Sequence, residues 1–432
     1  MEIDGGAPLR IREEQDLQAL KSRLHRHLID AIDADRVDLD AWSPEQLRAY
    51  VDDKIAKFIA DHRIAVNRSE THDLAESMID ELSGLGPIQP LVEDDGVNDI
   101  LVNSRDRVFV ERRGRLELTD VRFNDDRHVL RIIQRIIAPL GRRIDESCPM
   151  VDARLPDGSR VNAVIPPVAL DGPSISIRKF RKEPLRAGDL IAYGTFDEHM
   201  LKLLVAAVKA RCNIIVSGGT GAGKTTLLNV LSQHITEEER LVTIEDAAEL
   251  SLGHPHVVRL ETRPPNLEGT GEIAARDLVK NALRMRPDRI IVGEVRGEEV
   301  LDMLQAMNTG HEGSMTTIHA NNARDALTRI EMLVGVGGFK GSDATLRHNI
   351  ASAVDLVVQV SRLADGARKV VSVHELTGTA DDTYMTQELF RWDIDEGCFK
   401  RAGVTPHHAG LQRALGARSH GGGGSPGGLT IG

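Results

Sequence analysis

Apolar side chains recur every three or four residues along residues 1–80, which is the spacing of one face of an α-helix. Three such faces are formed by Leu17, Leu20, Leu24, Leu28 and Ile32, by Leu47, Val51, Ile55, Phe58 and Ile59, and by Leu74, Met78 and Leu82. Ser43-Pro44 followed by Gln46 predicts the start of the second helix, because the serine and glutamine side chains can cap each other's backbone N–H groups. Residues 1–80 are therefore predicted to form a small helical bundle.

The pattern changes over residues 81–180, where short apolar stretches alternate with polar ones. Strands are predicted at 100–102, 108–110, 116–118 and 175–178, and a helix at 127–140. Asp157-Gly158 predicts a hairpin turn, since glycine tolerates the positive φ that such turns need. This mixture indicates an α+β domain.

A charged stretch with one proline and one glycine occupies residues 181–190, which we interpret as a linker. Strands and helices then alternate over 191–405, and this alternation predicts an α/β fold with a parallel sheet. A hairpin is predicted at 368–393. The glycine-rich end of the chain predicts a disordered tail over 406–432.

The composition narrows the function. A net charge of -12 and an aromatic content of 3% argue against a nucleic-acid-binding surface, so no direct nucleic-acid partner is expected. The three cysteines, Cys148, Cys212 and Cys398, lie too far apart for a zinc motif or a disulfide framework. The N-terminus has no apolar signal segment, and no apolar run approaches the ~20 residues that cross a bilayer. We expect a cytoplasmic protein that meets a membrane only through partners.

A phosphate-binding loop follows a predicted strand at 213–217 and precedes a predicted helix. It consists of Gly218, Gly219, Thr220, Gly221, Ala222, Gly223, Lys224, Thr225 and Thr226. Glycines let backbone N–H groups approach phosphate oxygens, and the helix N-terminus favours their negative charge. Lys224 is predicted to reach the β- and γ-phosphates of ATP, and the Thr225 hydroxyl to bind Mg²⁺. The alternative is a glycine-rich turn without a ligand.

Carboxylates follow two further predicted strands, at 241–244 and 289–292. The carboxyl ends of parallel strands form the ligand-binding edge of a sheet, so Glu245 and Asp246 could face the nucleotide. Glu249 lies slightly further along, and a solvated acidic loop is its alternative. Glu294 is predicted to activate the attacking water or to hold the Mg²⁺ shell. Many P-loop proteins carry an aspartate at the position of the preceding Gly293.

Two histidines flank a predicted strand at 314–318. His319 follows this strand, where an imidazole can hydrogen-bond a phosphate and sense its loss. His311 precedes the strand. The alternative for both is a structural histidine that only caps neighbouring backbone. A metal site is not expected, since no matching ligand cluster accompanies them.

Four segments together resemble the type II/type IV secretion system ATPase superfamily, and most closely its CpaF/TadA-type ATPases of tight-adherence (Flp) pili. These segments are 217–226, 244–246, 278–297 and 309–320. The resemblance implies a RecA-like P-loop motor domain preceded by an α+β (PAS-like) domain, in a homo-hexamer that works at the inner membrane through pilus platform proteins. It also implies that pilus assembly, and retraction where it occurs, is the work performed.

The resemblance assigns roles to individual residues. It places Gly218–Thr225 in the Walker A loop, Glu245, Asp246 and Glu249 in an acidic box, Glu294 in an atypical Walker B segment, and His311 and His319 in a histidine box. It further implies that Arg154, Arg160 and Arg178 of the N-terminal domain complete the nucleotide site. Glu294, Lys224, Arg160, Arg178 and His319 are thereby assigned to catalysis, and Arg154 and His311 to nucleotide binding.

Other functions remain as alternatives. A type IV secretion ATPase for protein or DNA export shares the arginine-rich strings but usually lacks the long helical lead. The four-cysteine zinc element of many pilus-assembly and type II secretion ATPases has no counterpart in this sequence. A small-molecule P-loop kinase or a nucleic-acid motor would use the same loop. A binding module without catalysis fits least, because Lys224 and Glu294 are both present.

Overall fold

The computed structural model describes residues 9–10, 14–37, 41–112, 114–180, 184–265 and 270–416. The chain forms two compact units, Met1–Lys182 and Glu183–Gly432. Among the helices that the structure describes, none combines the length and the apolar character needed to span a lipid bilayer.

The first unit begins with the helical bundle. Its elements are β1 (Leu9–Arg10), α1 (Glu14–Asp35), α2 (Pro44–Asp61), β2 (Ile64–Ala65) and α3 (Arg68–Ser83), with β1 parallel to β2. The apolar faces of the three helices meet in one core, in which Leu24, Ile55 and Leu74 are almost fully buried. The predicted cap is confirmed, because Ser43 Oγ accepts a hydrogen bond from Gln46 N–H and Gln46 Oε1 accepts one from Ser43 N–H.

An antiparallel sheet covered by one long helix follows in the same unit. Its elements are a 3₁₀ turn (Gly86–Ile88), α4 (Gln89–Glu93), β3 (Asp99–Ser104), β4 (Arg107–Arg112), β5 (Arg115–Leu118), α5 (Asp126–Ile137), a second 3₁₀ turn (Ala138–Leu140), β6 (Met150–Arg154), β7 (Arg160–Val164) and β8 (Ser174–Arg178). The strand order is β5-β4-β3-β8-β7-β6. Ile132 and Ile133 of α5 are buried against the sheet. The predicted turn at Gly158, with φ of +93°, joins β6 to β7.

The second unit is built on one large sheet. Its helices are α6 (Ala187–Ala192), α7 (Glu198–Lys209), α8 (Lys224–Ser232), α9 (Ala275–Ala282), α10 (Glu299–Asn308), α11 (Ala323–Val336), α12 (Asp343–Ala353) and α13 (Ala409–Gly416). Its strands are β9 (Ile214–Gly218), β10 (Leu241–Glu245), β11 (Val257–Glu261), β12 (Arg289–Val292), β13 (Met315–Ile318), β14 (Leu356–Arg362), β15 (Arg368–Ala380), β16 (Thr383–Asp393) and β17 (Cys398–Arg401).

The sheet has the order β11-β10-β12-β13-β9-β14-β15-β16-β17. The first six strands in this order are parallel, and β15, β16 and β17 continue the sheet antiparallel. Successive residues of a strand face opposite sides, so Ile214 and Val216 join one core while Ile215 joins the other. A parallel sheet buried on both faces needs such continuous apolar strands. All carboxyl ends of the parallel strands therefore lie at one edge.

The structure departs from the sequence prediction at two boundaries. Within the proposed linker, Ala187–Ala192 form α6, and Leu190 is buried in the second unit's core. Within the proposed tail, Ala409–Gly416 form α13, with Leu411 fully buried. In both cases one or two apolar residues in a polar segment find a buried position that local composition does not reveal. Residues 417–432, the glycine-rich end, lie outside the described residues.

A buried ion pair holds the amino-terminal edge of the large sheet. Arg289, the first residue of β12, is 1% exposed, and its Nη2 and Nε lie 2.7 and 2.8 Å from the two carboxylate oxygens of Glu239. Arg289 Nη1 also donates to the Val208 carbonyl at 2.9 Å. Removing one partner of such a pair leaves the other charge buried and unpaired.

We expect Arg289→Leu to lower the free energy of unfolding by about 3 kcal/mol, because Glu239 then keeps only its longer, partly exposed ion pair with Arg211. Urea denaturation followed by circular dichroism measures this loss. Arg391→Leu is the control, since its more distant ion pairs on β16 are largely exposed and such pairs contribute below about 1 kcal/mol. Equal losses of unfolding free energy in Arg289→Leu and Arg391→Leu would contradict a stabilising role of the buried Arg289–Glu239 pair.

Candidate nucleotide site

The phosphate loop connects β9 to α8 at the carboxyl edge of the sheet. Gly221 and Gly223 have φ of +68° and +99°, a region that side chains other than glycine rarely adopt. At Gly218 a Cβ atom would lie 2.4 Å from the Val360 carbonyl oxygen, so only glycine fits. Thr225 and Thr226 lie in the first turn of α8, where backbone N–H groups have no helical partner. The loop therefore presents amide donors and a hydroxyl to an anion.

Lys224 lies inside this loop. Its Nζ donates to the carbonyl oxygens of Gly218 and Gly219, at 3.1 Å each, and the residue is 8% exposed. Burial lowers the pKa of Lys224, while the nearby carboxylates of Glu294 and Glu249 oppose that effect. Phosphate oxygens would satisfy a buried ammonium group better than neutral carbonyls do.

Glu294 follows β12 at the same edge and contacts an arginine and a histidine. Its Oε2 accepts a hydrogen bond from Arg296 Nη2 at 2.6 Å, and its Oε1 lies 3.5 Å from His319 Nε2. Oε1 is buried, and no hydrogen bond to it is formed among the described residues. A buried carboxylate oxygen with free lone pairs is suited to accept a proton from water or to hold a Mg²⁺-bound water.

Glu245, the last residue of β10, is the second buried carboxylate. It is 5% exposed, and its Oε1 accepts two backbone hydrogen bonds of 2.8 Å, from Glu249 N–H and Leu250 N–H. Its Oε2 is buried, with no hydrogen bond from the part of the chain that the structure describes. Burial raises the pKa of Glu245, against the effect of those two hydrogen bonds.

These oxygens fit the Mg²⁺ that the sequence predicts. Mg²⁺ prefers oxygen ligands and keeps several waters. The unsatisfied Oε2 of Glu245 and Oε1 of Glu294 supply acceptors for such waters, and the Thr225 hydroxyl at the start of α8 supplies a direct ligand.

Gly293 is explained by its contact with Glu245. A Cβ at position 293 would lie 3.0 Å from Glu245 Cγ, which is tighter than most Cβ contacts in proteins, so the Glu245 side chain would have to shift to admit it. The carboxylate of β10 thus occupies the space over the end of β12. This contact disfavours a side chain at position 293, such as the aspartate found there in many P-loop proteins, and the carboxylate predicted to act on water stands at position 294.

His319 follows β13 and lies at this edge beside Glu294, and its role toward a phosphate remains a prediction. Its pKa is lowered by burial first and by the charge of Lys224 second, so the imidazole is neutral at neutral pH.

The structure does not bring His311 to this edge. His311 precedes β13, and in a parallel sheet that position belongs to the opposite edge, where its carbonyl accepts a hydrogen bond from Ser314 Oγ at 2.7 Å. Within one chain His311 therefore lies away from the phosphate loop, and its role in nucleotide binding remains a prediction.

Three arginines of the first unit form a row across its sheet. Arg160 of β7 lies directly opposite Arg154 of β6 on one side and Arg178 of β8 on the other. Arg178 Nε lies 3.4 Å from an oxygen of Asp99. Like charges that face each other across strands are destabilising, and a bound anion would offset that cost. Their role in nucleotide binding remains a prediction.

Arg296 is a residue of the site that sequence reasoning missed. It bridges Glu294 and Asp246, with its Nη1 3.4 Å from Asp246 Oδ2. Asp246 is thereby placed at the site by an ion pair. The segment Gly293–Gly297 contains this arginine, but spacing alone does not show that its side chain folds back onto the carboxylate two residues before it.

We expect Gly293→Ala to destabilise the protein by about 1–3 kcal/mol, because the added methyl group overpacks against Glu245. Gly335→Ala in α11 is the control, since open space surrounds that position and alanine favours helix. In a Glu245→Ala background the cost of Gly293→Ala should fall. An unchanged cost in that background, measured by urea denaturation, would contradict the proposed contact.

Comparison with known proteins identifies the family of this chain. The family model described as "Type II/IV secretion system protein" matches residues 81–402, and the model "Type II secretion system protein E, N-terminal domain" matches residues 17–82. A putative conjugal transfer protein of Mycobacterium tuberculosis is 42% identical over 323 residues, covering 73% of this chain and 90% of that protein. The conjugal transfer protein TrbB of Rhizobium radiobacter is 34% identical over 308 residues, covering 70% and 91%.

Among solved structures, the VirB11 ATPase from the Brucella suis type IV secretion system, in complex with sulphate, is 30% identical with a TM-score of 0.36, covering 66% of this chain and 91% of that chain. The predicted fold class is confirmed, namely an α/β RecA-like P-loop domain after an N-terminal domain. The chain belongs to the type II/IV secretion system protein family and is a P-loop ATPase of that family.

Proposed function

We propose that this protein is a ring-forming motor that hydrolyses ATP to drive a type IV secretion or conjugal-transfer machine. The observation that carries the proposal is the buried, unsatisfied Oε1 of Glu294 at the same sheet edge as the phosphate loop. The relatives named as conjugal transfer proteins support the type of machine.

In this mechanism the phosphate loop binds the triphosphate through its amides. Lys224 exchanges its two carbonyl partners for β- and γ-phosphate oxygens. Glu294 Oε1 accepts a proton from the water that attacks the γ-phosphorus in line with the departing ADP oxygen. Mg²⁺, when bound, neutralises negative charge on the phosphates. Neutral His319 can donate a hydrogen bond to the γ-phosphate and lose that partner on phosphate release.

The arginine row of the first unit suits a second role. Arg154, Arg160 and Arg178 concentrate three guanidinium groups on neighbouring strands, and guanidinium groups bind phosphate oxygens in pairs. We propose that they complete the nucleotide site in a homo-hexamer and release when the γ-phosphate leaves. The two units would then move about the short segment between them, and the ring would transmit this movement to inner-membrane partners.

Tight-adherence pilus assembly is the second candidate. The named relatives favour the secretion alternative over this first interpretation. The helical bundle supports keeping it, because the sequence resemblance associates a long helical lead with the pilus motors. A platform protein of the pilus would then be the membrane partner. Loss of secretion with intact pili, or the reverse, in a deletion strain separates the two candidates.

The two remaining alternatives, a small-molecule kinase and a nucleic-acid motor, differ from this motor in what they need in order to turn over ATP. A small-molecule kinase transfers phosphate to an acceptor, whereas this motor releases phosphate to water without one. A nucleic-acid motor is stimulated by DNA or RNA. Phosphate release measured without acceptor, and with and without nucleic acid, distinguishes these classes.

We expect Glu294→Gln to lower kcat for ATP hydrolysis by about 10²–10⁴-fold while nucleotide binding persists, because the amide cannot accept the proton. Phosphate release and calorimetric ATP binding measure the two effects. Glu298→Gln is the matched control, since that carboxylate pairs with Arg276 away from the loop. An unchanged kcat in Glu294→Gln would show that Glu294 is not the general base.

The ring predicts a change of mass with nucleotide. We expect a six-subunit species with a non-hydrolysable ATP analogue and Mg²⁺, because phosphates bridge arginines and the phosphate loop. Multi-angle light scattering measures the mass with and without the analogue. Arg160→Gln should reduce the six-subunit fraction, and Arg115→Gln on the edge strand β5 should not. A monomer under all conditions would refute the ring.

A further inference from the structure

The nucleotide site has two sides, which the strand order defines. The phosphate loop follows β9, and Glu294 follows β12, two strands away on one side. The β14–β15 hairpin lies on the other side of β9. If the γ-phosphate meets Glu294, as the proposed function requires, the α-phosphate and nucleoside of ATP extend toward this hairpin.

The hairpin packs directly against the phosphate loop. Val360 of β14 leaves no space for a side chain at Gly218. Arg368, the first residue of β15, donates from Nε to the Gly221 carbonyl oxygen at 2.9 Å. Its Cδ lies 3.4 Å from where a Cβ of Gly223 would be. Arg368 thus contacts the loop at Gly221 and lies close to Gly223.

The backbone at Arg368 is held firmly. The turn before it is closed by hydrogen bonds from Leu363 N–H to the Ala367 carbonyl at 2.7 Å and from Gly366 N–H to the Leu363 carbonyl at 2.9 Å. The next residue, Lys369, donates to the Gly194 carbonyl at 2.6 Å and lies 4.2 Å from the centre of the Trp392 ring. A guanidinium group on this turn is therefore pre-positioned, which lowers the entropic cost of binding.

The charge of Arg368 is not neutralised within the described chain. The side chain is exposed, and among described residues no carboxylate lies within ion-pair distance of it. Its bond to Gly221 uses only Nε, so the terminal N–H groups remain available. Arg362 lies directly opposite it across the hairpin, which adds positive charge to this side of the site. Guanidinium groups are preferred phosphate ligands in proteins.

We propose that Arg368 binds the nucleoside-proximal phosphate of ATP from within the same chain, while its Nε holds the phosphate loop in place. This inference rests on the proposed function. It separates Arg368 from the arginines of the first unit, which act on the γ-phosphate. A contact to the α-phosphate persists in ADP, so it contributes equally before and after hydrolysis.

Calorimetric titration of the full chain with ADP and with a non-hydrolysable ATP analogue tests the proposal. We expect Arg368→Gln to raise Kd for both nucleotides by about tenfold, and KM for ATP likewise, with kcat unchanged, since uniform binding is lost. Arg368→Lys, which keeps the charge, should recover part of the affinity. Arg401→Gln on β17, at the far edge of the sheet, should bind like the unmodified protein.

The outcomes separate the two proposals. An unmodified protein that binds neither nucleotide would refute the proposed function. If it binds both, unchanged affinity in Arg368→Gln would overturn this inference, and so would a loss confined to the ATP analogue, which would move the contact to the γ-phosphate. Equally raised Kd values in Arg368→Lys and Arg368→Gln would show that the positive charge at position 368 does not contribute to nucleotide binding, and this would also overturn the inference. Thermal unfolding of each variant confirms that the compared proteins are folded.

Discussion

The parallel alignment of β10, β12, β13, β9 and β14 is the constraint on which the rest of this protein depends. It collects the carboxyl ends of strands that are distant in sequence at one edge of the sheet. The phosphate loop, Glu245, Glu294 and His319 all follow such ends. Because apolar cores cover both faces of the sheet, this edge cannot rearrange without exposing buried strands. The side chains of the site are therefore held in place by a rigid core.

Within that edge, the close contact between Glu245 and Gly293 determines how the acids are used. Glu245 is fixed by two backbone N–H groups and lies over the end of β12, which leaves little room for a side chain at 293. The next residue, Glu294, becomes the carboxylate that faces the loop. Arg296 then balances the charge of Glu294 and ties it to Asp246. The atypical sequence at this strand end is thus a consequence of packing.

Features that are set by neighbouring residues in the chain could be predicted from the sequence. Contacts that depend on how a side chain is placed in the folded structure could not. The cap at Ser43, the strand–loop–helix around Lys224 and the carboxylate at 294 follow from spacing, because each is set by neighbours in the chain. The roles of Arg296 and Arg368 were not predicted, because their contacts are formed only in the folded structure. The position of His311 at the opposite end of β13 was also not foreseen, because a motif lists residues along a strand without stating which end faces the ligand. Helix α13 was missed because one buried leucine, Leu411, secures it.

The two sides of the loop have different consequences for a motor. On the β12 side, Glu294, Arg296 and His319 contact one another, and in the proposed mechanism their contacts change when the γ-phosphate leaves. On the hairpin side, contacts with the α-phosphate do not distinguish ATP from ADP. Only an interaction that differs between two states can shift their balance. In the proposed mechanism, mechanical work would therefore originate in the contacts to the γ-phosphate, on the β12 side and from the arginine row, while the hairpin would keep the nucleotide bound during the stroke.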